Sequence, residues 1–475
     1  MRVTFFALLF LGAVETHAID TVITNGRVID PETGLDAIRN IAIDEGRITA
    51  ISEHPLKGDN VIDATGLVVS PGFIDLHAHG QDEISNQFQA ADGVTTALEL
   101  EIGTYPVASW YDSRRGKAPI NFGASVSHPF VRGNVFAEKL AGATRGGVSA
   151  EQAFEFGAHH SPDELDRQQI LAFLQAGIEE GGLGLGLGIT YTPSADHEEI
   201  YSVFQLAAKQ ALPIFVHLRN ANQLNGDPFA PLQEVLSNAA ATGAPLHVVH
   251  INSSMGEHAE TALGMIRGMR DNGLDVTTEN YPYTAGSTRL ESALFDSWDS
   301  DFEKLQWVAT GERLTKESFD KYRKEGGWVI IHGRTEKLNA WLVAQPDLII
   351  ASDGIPFVDG LSHPRSAGTF GRILGRYVRE EGKLTLMQAI TKMTLMPARR
   401  LEAFAPAMKK KGRIQVGADA DITIFNAGKI MDRATYTKPA QHSDGIEYVM
   451  VNGTLVVDEG EVVPDVYPGR GIRAE

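Results

Sequence analysis

Short apolar segments alternate with longer amphipathic stretches over most of the chain, and this alternation constrains the fold more than any other feature. Between residues 70 and 404, eight segments have the pattern of buried β-strands, each followed by a stretch with helical periodicity. They cover residues 72–77, 94–101, 120–127, 183–189, 213–218, 246–251, 274–279 and 348–353. Eight such units predict an α/β fold, a (β/α)8 TIM-type barrel that spans residues 68–408. Residues 328–332 also resemble a strand, and we assign them to an excursion before the last barrel strand.

The two ends of the chain have a different pattern, in which short strands are separated by two-residue turns. In residues 19–67 the turn pairs are Asn25-Gly26 and Glu45-Gly46, and in residues 409–475 the pattern returns with Asn452-Gly453. We therefore expect both ends to form one small β-sandwich domain beside the barrel.

Residues 1–18 have the pattern of a secretory signal peptide. Arg2 precedes an apolar run over residues 5–14, and small residues lead to a cleavage point near Ala18. The run is shorter than the ~20 residues that span a bilayer, and no later segment is long enough. We expect an exported, periplasmic protein without a membrane anchor.

The composition limits which partners the chain is expected to bind and which residue types could hold a metal ion. The formal net charge of −19 repels phosphate backbones and anionic lipids, so neither nucleic acid nor a membrane is an expected partner, whereas an oligomer is possible. The chain has no cysteine, which excludes disulfides, iron–sulfur clusters and thiol nucleophiles. A metal would have to be held by His, Asp, Glu or Lys.

Histidines and a carboxylate stand where predicted strands end, which is where barrels of this type carry their chemistry. His77 and His79 end the first strand two residues apart, so both face the same side. His217 ends the fifth strand, His250 the sixth and Asp353 the eighth. We expect these five side chains to converge on a divalent metal ion.

Two strands leave a choice between neighbouring residues. His247 and His250 are three residues apart and so face opposite sides, which favours His250 as the ligand and leaves His247 packed between barrel and helices. Glu99 and Glu101 share a face, and either could reach the metal. We favour Glu101 because it lies nearer the strand end.

Several motifs resemble those of a known family. PGFIDLHAH at residues 71–79 and GADADI at residues 417–422 resemble the opening and closing motifs of the amidohydrolase superfamily. Within that superfamily, YPYTAGST at residues 281–288 and HPRSAGTF at residues 363–370 resemble the N-acyl-D-amino-acid deacylases, or D-aminoacylases. The resemblance runs from one terminal segment to the other.

The resemblance implies roles for individual residues. It implies that the four strand-end histidines hold zinc, as one or two ions, and that Asp353 is the catalytic residue. It also implies that Arg219, which shares the face of His217, and Tyr283 hold the substrate. The alternatives are a surface salt bridge for Arg219 and ordinary loop packing for Tyr283.

The chain departs from the family pattern at two positions. D-aminoacylases usually have a bridging cysteine where Ile102 stands here, beside Glu101, and related amidohydrolases use a glutamate or a carboxylated lysine instead. Glu101 is therefore the expected substitute. A lysine that often follows the strand-six histidine by two residues is replaced by Asn252, so the substrate preference stays open.

Together these residues predict a hydrolase. Zinc would lower the pKa of water toward ~7 and polarise an amide carbonyl, and Asp353 would carry a proton from the water to the departing amine. The resemblance implies N-acyl-D-amino acids as substrates, cleaved to a carboxylate and a free D-amino acid. Three alternatives remain: a dipeptidase for peptides with a D-residue, a cyclic amide (dihydroorotase-like) hydrolase, and a non-catalytic binding protein.

Overall fold

The computed structural model describes residues 19–144, 149–219 and 227–475, so the predicted signal peptide lies outside the described residues. The strands, in chain order, are β1 Thr21–Asp30, β2 Leu35–Asp44, β3 Arg47–Ser52, β4 Asn60–Asp63, β5 Val68–Pro71, β6 Phe73–Asp75, β7 Val94–Thr104, β8 Asn121–Ser127, β9 Leu185–Gly188, β10 Ile214–His217, β11 Leu246–Val248, β12 Val276–Asn280, β13 Ala285–Arg289, β14 Leu305–Trp307, β15 Trp328–His332, β16 Ile349–Ile350, β17 Ile422–Phe425, β18 Ile446–Val451, β19 Thr454–Asp458 and β20 Glu461–Val462.

The α-helices, in chain order, are α1 Glu83–Ala91, α2 Val107–Arg114, α3 His128–Thr144, α4 Ala150–His159, α5 Glu164–Glu179, α6 His197–Lys209, α7 Ala230–Thr242, α8 Ile251–Met255, α9 Ala259–Asp271, α10 Lys316–Glu325, α11 Glu336–Ala344, α12 Arg365–Arg372, α13 Leu386–Met393 and α14 Leu395–Leu401. A π-helix, Ile373–Glu380, continues α12. Within the described ranges, no helix has both the length and the apolar character needed to cross a bilayer.

Eight strands pair side by side in the order β16-β12-β11-β10-β9-β8-β7-β6, and neighbouring strands are parallel. The sheet nearly closes, because an isolated parallel bridge joins Ala78, just after β6, to Gly354, just after β16. All eight predicted barrel strands are present in the predicted order, which confirms the (β/α)8 barrel.

The helices cover the outer face of the barrel because both surfaces are apolar. Val216 of β10 and Val248 of β11 bury against Val203 of α6 and Val235 of α7. Inside the barrel, Phe215 and Ile349 pack with Leu401 of α14 in a separate buried cluster. The barrel interior is therefore a packed core and not a pore.

Both chain ends enter one further sheet, with strand order β20-β19-β18-β17-β5-β1-β2-β3 and with β4 also paired to β1. Strand β5 is the link, because it pairs with β1 on one side and with β17 on the other. Apolar residues from both ends, including Ile23, Ile41 and Ile424, are buried together. As predicted, both ends contribute to one sheet domain beside the barrel, and the strands expected to form a β-sandwich are one continuous hydrogen-bonded sheet.

One predicted turn is wrong. Asn25 and Gly26 lie within β1, at a point where its register with β2 shifts between Ile23 and Gly26. Asn25 has a φ of 56°, as a β-bulge permits. An Asn-Gly pair favours positive φ in a bulge as much as in a hairpin, so the pair alone does not decide between them.

The predicted excursion is also present, between β12 and β16. Strands β13, β15 and β14 form a three-stranded antiparallel sheet in that order. Its own apolar cluster includes Trp307, Val329 and Phe319 of α10. This small sheet stands over the mouth of the barrel and forms one wall of the cavity described below.

Candidate metal centre

The mouth of the barrel brings together the six residues predicted to bind metal. They fall into three overlapping groups, and within each group the potential ligand atoms lie within 4.8 Å of one another. The groups are His77, His79 and Glu101; His77, His250 and Asp353; and Glu101, His217 and His250. All six side chains are buried except that of His79, which is partly exposed.

Two sets of three ligand atoms, each made of His77, His79 and one carboxylate, have the edge lengths of a tetrahedral site. His77 Nε2 lies 3.2 Å from His79 Nε2, and Glu101 Oε2 lies 3.2 Å from each of them. Asp353 Oδ1 lies 3.4 Å from His77 Nε2 and 3.5 Å from His79 Nε2. Zinc bonds of 2.0–2.2 Å in a tetrahedron put the ligand atoms about 3.3–3.6 Å apart. The donor set therefore fits a zinc ion.

The remaining ligands form a second group around the other oxygen of Glu101. Glu101 Oε1 lies 2.5 Å from His217 Nδ1 and 3.3 Å from His250 Nε2, and those two nitrogens are 3.1 Å apart. Three protein ligands leave one position open, as in catalytic zinc sites. Because Glu101 offers one oxygen to each group, the arrangement fits two bridged cations.

The same geometry favours Glu101 over Glu99 as the ligand. Glu99 Oε2 lies 2.8 Å from His79 Nδ1, the ring nitrogen that faces away from the ligand group. Glu99 belongs to none of the candidate ligand groups in the described part of the chain. Glu99 therefore fixes the orientation of the His79 ring through the nitrogen that points away from the ligand group. This is the usual role of a carboxylate that supports a metal-binding histidine.

Glu279, at the end of the seventh predicted strand, supports His77 in the same way. Its Oε1 lies 2.6 Å from His77 Nδ1, and its Oε2 lies 3.0 Å from His247 Nε2. Burial alone would raise the pKa of Glu279, but the two imidazoles hold that pKa well below its ordinary value. The anionic carboxylate fixes the tautomer of His77 and leaves Nε2 free to bind metal. Sequence reasoning missed this residue, although its strand-end position was a signal.

The prediction that His247 packs between barrel and helices is wrong. Its neighbours Leu246 and Val248 face the helices, so His247 faces the barrel interior. His250 also reaches the interior, because β11 ends at Val248 and His250 has a φ of 30°. The alternation of faces holds only within a strand, and the backbone leaves the strand before His250.

Asp353 is held by a buried arginine that the sequence analysis did not single out. Arg365 Nη1 lies 2.8 Å from Asp353 Oδ2, and the arginine side chain is fully buried. Burial alone would raise the pKa of Asp353, but Arg365 and the nearby His77 keep that pKa below its ordinary value. Asp353 is thus a carboxylate at neutral pH, able to accept a proton. The signal for Arg365 was its place in the motif at residues 363–370.

A cavity of about 1400 Å³ opens from the metal centre. Its walls include Phe154 of α4, Tyr191 after β9, Trp328 of β15 and Arg334 just beyond β15. The excursion sheet and α4 therefore face the ligand groups across a space that is large enough for a small organic molecule.

Neither predicted substrate-binding residue lines this cavity, although both lie in the described part of the chain. Arg219 donates from Nε and Nη2 to the two carboxylate oxygens of Glu234, at 2.9 Å each. The Tyr283 hydroxyl donates to Asp432 Oδ2 at 3.1 Å. Each polar group is engaged by a carboxylate, 15 residues away for Arg219 and 149 residues away for Tyr283, and the two substrate-binding roles stay predictions.

A nearly closed barrel with two ligand groups at its mouth, a buried carboxylate beside them and a cavity above them is typical of a metal-dependent hydrolase. The model of the amidohydrolase family matches residues 304–457. An N-acyl-D-glutamate deacylase from Alcaligenes xylosoxydans xylosoxydans is 28% identical over 96% of this chain and 97% of its own length. A D-aminoacylase from the same organism is 26% identical over 94% of this chain and 96% of its own length.

A solved structure agrees with these relatives. The N-acyl-D-glutamate deacylase of Bordetella bronchiseptica, determined with zinc and a phosphonate mimic of the tetrahedral intermediate, superposes with a TM-score of 0.80. It is 26% identical, and the match covers 96% of this chain and 100% of that one. The chain is thus similar to members of the amidohydrolase superfamily, and within it to the branch that contains the N-acyl-D-amino-acid deacylases.

Proposed function

We propose that this chain is a metal-dependent hydrolase that cleaves the amide bond of N-acyl-D-amino acids to a carboxylate and a free D-amino acid. The observation that carries the proposal is the position of Glu101, whose two oxygens each belong to a separate ligand group, next to the Asp353 carboxylate. The deacylases to which the chain is similar give the substrate class.

Zinc, as one or two ions, fits the two ligand groups. One ion would be held by His77, His79, Glu101 and Asp353, and the other by Glu101, His217 and His250 in the group with an open position. When bound, zinc polarises an amide carbonyl and makes water a better nucleophile at neutral pH.

Asp353 moves the proton. Its Oδ1 faces the ligand group, and its Oδ2 is held by Arg365, so the carboxylate is fixed at the point where water and substrate meet. Asp353 accepts a proton from the attacking water and returns it to the amide nitrogen as the C–N bond breaks. Protonation is required because an amine anion is a poor leaving group. The products are a carboxylate and a free amine.

The size of the cavity favours a second candidate within the same chemistry. A cavity of about 1400 Å³ exceeds the ~300–1,000 Å³ typical of small-molecule sites. A D-residue-containing dipeptide or an amino acid with a long acyl group would fill it better than an N-acetyl amino acid does.

A substrate panel with chelation tests the proposed function. The zinc-loaded protein is given N-acetyl- and N-hexanoyl-D-amino acids, D-residue dipeptides and a cyclic amide, and release of free amine or ring opening is followed. We expect turnover of the N-acyl-D-amino acids, its loss after chelation and its recovery with added zinc. Turnover of the cyclic amide alone would contradict the proposal, and so would amine release that survives complete removal of the metal.

We also propose that the protein is exported to the periplasm and cut near Ala18. The support is the order of Arg2, the apolar run at residues 5–14 and the small residue at 18. Mass spectrometry of the N-terminus tests this proposal. A periplasmic protein that begins at Ile19 is the expected result, and a cytoplasmic protein that retains residues 1–18 would contradict it.

A further inference from the structure

The walls of the cavity above the metal centre differ in chemical character. On the side of the excursion, charged side chains line the cavity, among them Glu291, Arg323 and Lys324. On the side formed by α3 and α4, two aromatic rings line it, those of Phe130 and Phe154. A substrate that fills the cavity therefore meets charges on one side and aromatic rings on the other.

The two rings form a pair with apolar surface to spare. Their centroids lie 5.5 Å apart, with an angle of 58° between the ring planes. Phe130 is nevertheless 43% exposed, and Phe154 is partly exposed. The surface that the rings do not bury against each other is available to an apolar group of a ligand, and contact with such a group removes it from water.

Local structure fixes the pair relative to the barrel. Phe130 follows β8 by three residues, and its backbone N–H donates to Oγ of Ser127, the last residue of that strand, at 3.2 Å. Helix α4 approaches α3 closely, because a Cβ built on Gly157 would stand only 2.9 Å from the backbone nitrogen of Gly133. Phe130 is thus held at the mouth of the barrel, and the close helix contact places Phe154 against it.

The apolar lining begins beside the metal centre. Ile102 also lines the cavity, and it directly follows the ligand Glu101 in β7. Strand β7 pairs with β8, whose end carries Phe130. Two neighbouring strand ends therefore bring apolar side chains to the cavity, the first of them next to a metal ligand.

We infer that Phe130 and Phe154 form a subsite for the acyl chain of the substrate, and that the enzyme prefers a medium-length alkyl chain to an acetyl group. The inference rests on the proposed function. An acyl chain starts at the carbonyl carbon of the scissile bond and carries no charge. The amino acid part carries a carboxylate, which is costly to place against aromatic rings. The acyl chain is therefore the part of the substrate that fits this wall.

Phe154→Ala tests the subsite. Phe156→Ala is the matched control, because Phe156 lies on the same helix but packs against the barrel core. Each zinc-loaded mature protein is assayed with N-acetyl- and N-hexanoyl-D-leucine. For the wild type we expect kcat/KM to be at least about 10-fold higher with the hexanoyl group, since each methylene that is fully buried contributes about 4-fold.

The two variants should differ in selectivity. Phe154→Ala should lower kcat/KM about 10-fold for the hexanoyl substrate and less than about 3-fold for the acetyl substrate. Phe156→Ala should change both values by the same factor. A wild type that hydrolyses both substrates equally well, or equal losses on both in Phe154→Ala, would overturn the subsite.

Two further variants sharpen the result. Phe130→Ala removes the other ring of the pair from a different helix and should cause the same selective loss. Phe154→Leu keeps an apolar side chain of similar size and should retain most of the preference for hexanoyl. A Phe154→Leu variant that loses as much selectivity as Phe154→Ala would count against an apolar contact with the acyl chain.

A binding measurement separates this inference from the proposed function. Acetate and hexanoate are the carboxylate products of the two substrates, and calorimetry on the zinc-loaded protein gives a Kd for each. We expect hexanoate to bind at least about 10-fold more tightly than acetate to the wild type, and less than about 3-fold more tightly to Phe154→Ala.

The outcomes for the two proposals are distinct. If the wild type hydrolyses no N-acyl-D-amino acid but prefers hexanoate through Phe154, the proposed function fails and the subsite stands. If the wild type hydrolyses these substrates without regard to acyl length, the proposed function stands and the subsite is overturned. Equal binding of acetate and hexanoate to the wild type also overturns the subsite.

Discussion

At the scale of single residues, Glu101 links the two ligand groups of the site, because each of its carboxylate oxygens belongs to a different group. Glu99, two residues earlier on the same face, contacts only the outer nitrogen of His79. We propose that this carboxylate takes the bridging position that a cysteine usually has in the deacylases that the chain resembles. The proposal rests on distances of 2.5–3.3 Å between Glu101 and four histidines.

Glu101→Gln tests this role, with Glu99→Gln as the matched control. A neutral amide compensates two cations poorly, so we expect the zinc content to fall from two ions to one or fewer per chain in Glu101→Gln. Glu99→Gln should keep two zinc ions per chain and bind only the ion at His79 more weakly. Elemental analysis of dialysed protein measures both. Equal zinc content in the two variants would contradict a bridging Glu101.

Glu279 gives a second prediction at this scale. Glu279→Gln removes the anionic partner of His77 Nδ1, so we expect zinc affinity to fall about 10–100-fold in a competition titration. Glu199→Gln is the control, because Glu199 holds a buried His128 in the same manner with its Oε1 2.6 Å from His128 Nε2. Unchanged zinc affinity in Glu279→Gln, or an equal loss in Glu199→Gln, would argue against a specific role.

The sequence alone predicted those residues whose role follows from their position at the end of a strand. The five strand-end ligands converge because parallel strands present their carboxyl ends at one edge of the barrel. Glu279 and Arg365 were not predicted, since their roles depend on partners that other parts of the barrel supply. The carboxylate partners of Arg219 and Tyr283, which are Glu234 and Asp432, were not predicted either, because these pairs form only in the folded chain.

At the scale of elements, all eight barrel strands were predictable, but their ends were not. Strand β11 stops at Val248, and the side chains of the residues beyond it no longer alternate between the two faces of the sheet. His250 and Asp353 both have positive φ, at 30° and 53°. Such conformations are costly for residues other than glycine, and they concentrate at functional sites, where the surrounding contacts hold them.

Lys392 of α13 gives a prediction for pH dependence. Burial lowers the pKa of its ammonium group to about 7, against the opposing charge of Asp347. Between pH 7 and 10.5 the unfolded chain binds this proton and the folded chain does not, so stability rises with pH in that window. The slope for one proton is at most about 1.4 kcal/mol per pH unit.

Lys392→Met removes this titration. We expect the free energy of unfolding of the wild type to rise relative to that of the variant from pH 7 to pH 10, measured by urea denaturation at each pH. Above pH 10.5 the difference should be constant. Parallel stability profiles across the window would show that Lys392 keeps an ordinary pKa in the folded protein.

At the scale of the whole molecule, both chain ends are tied to the barrel. Strand β5 leads directly from the terminal sheet into β6, and the last residues return to β8. Ile472 N donates to Phe122 O at 2.7 Å, and the Tyr111 hydroxyl donates to Ile472 O at 2.5 Å. The shared sheet was predictable from matching strand patterns, whereas this return was not, because residues 469–475 have no pattern of their own.

Deletion of residues 469–475, the C-terminal tail, tests how much this segment contributes to thermal stability. It exposes Phe122 and leaves backbone groups of β8 without partners, so we expect the thermal midpoint to fall by several degrees at a fixed scan rate. Arg470→Ala is the control, because it removes an exposed side chain and keeps the backbone bonds. Equal midpoints for the deletion and the wild type would mean that the tail adds no stability.

The proposed deacylase activity is tested most directly by the rate of free-amine release from matched N-acetyl-D- and N-acetyl-L-amino acids by zinc-loaded mature protein, with Asp353→Asn alongside. We expect turnover of the D-series, little or none of the L-series, and loss of nearly all turnover in Asp353→Asn while the variant keeps bound zinc. Equal turnover of both series, or an Asp353→Asn variant as active as the wild type, would contradict it.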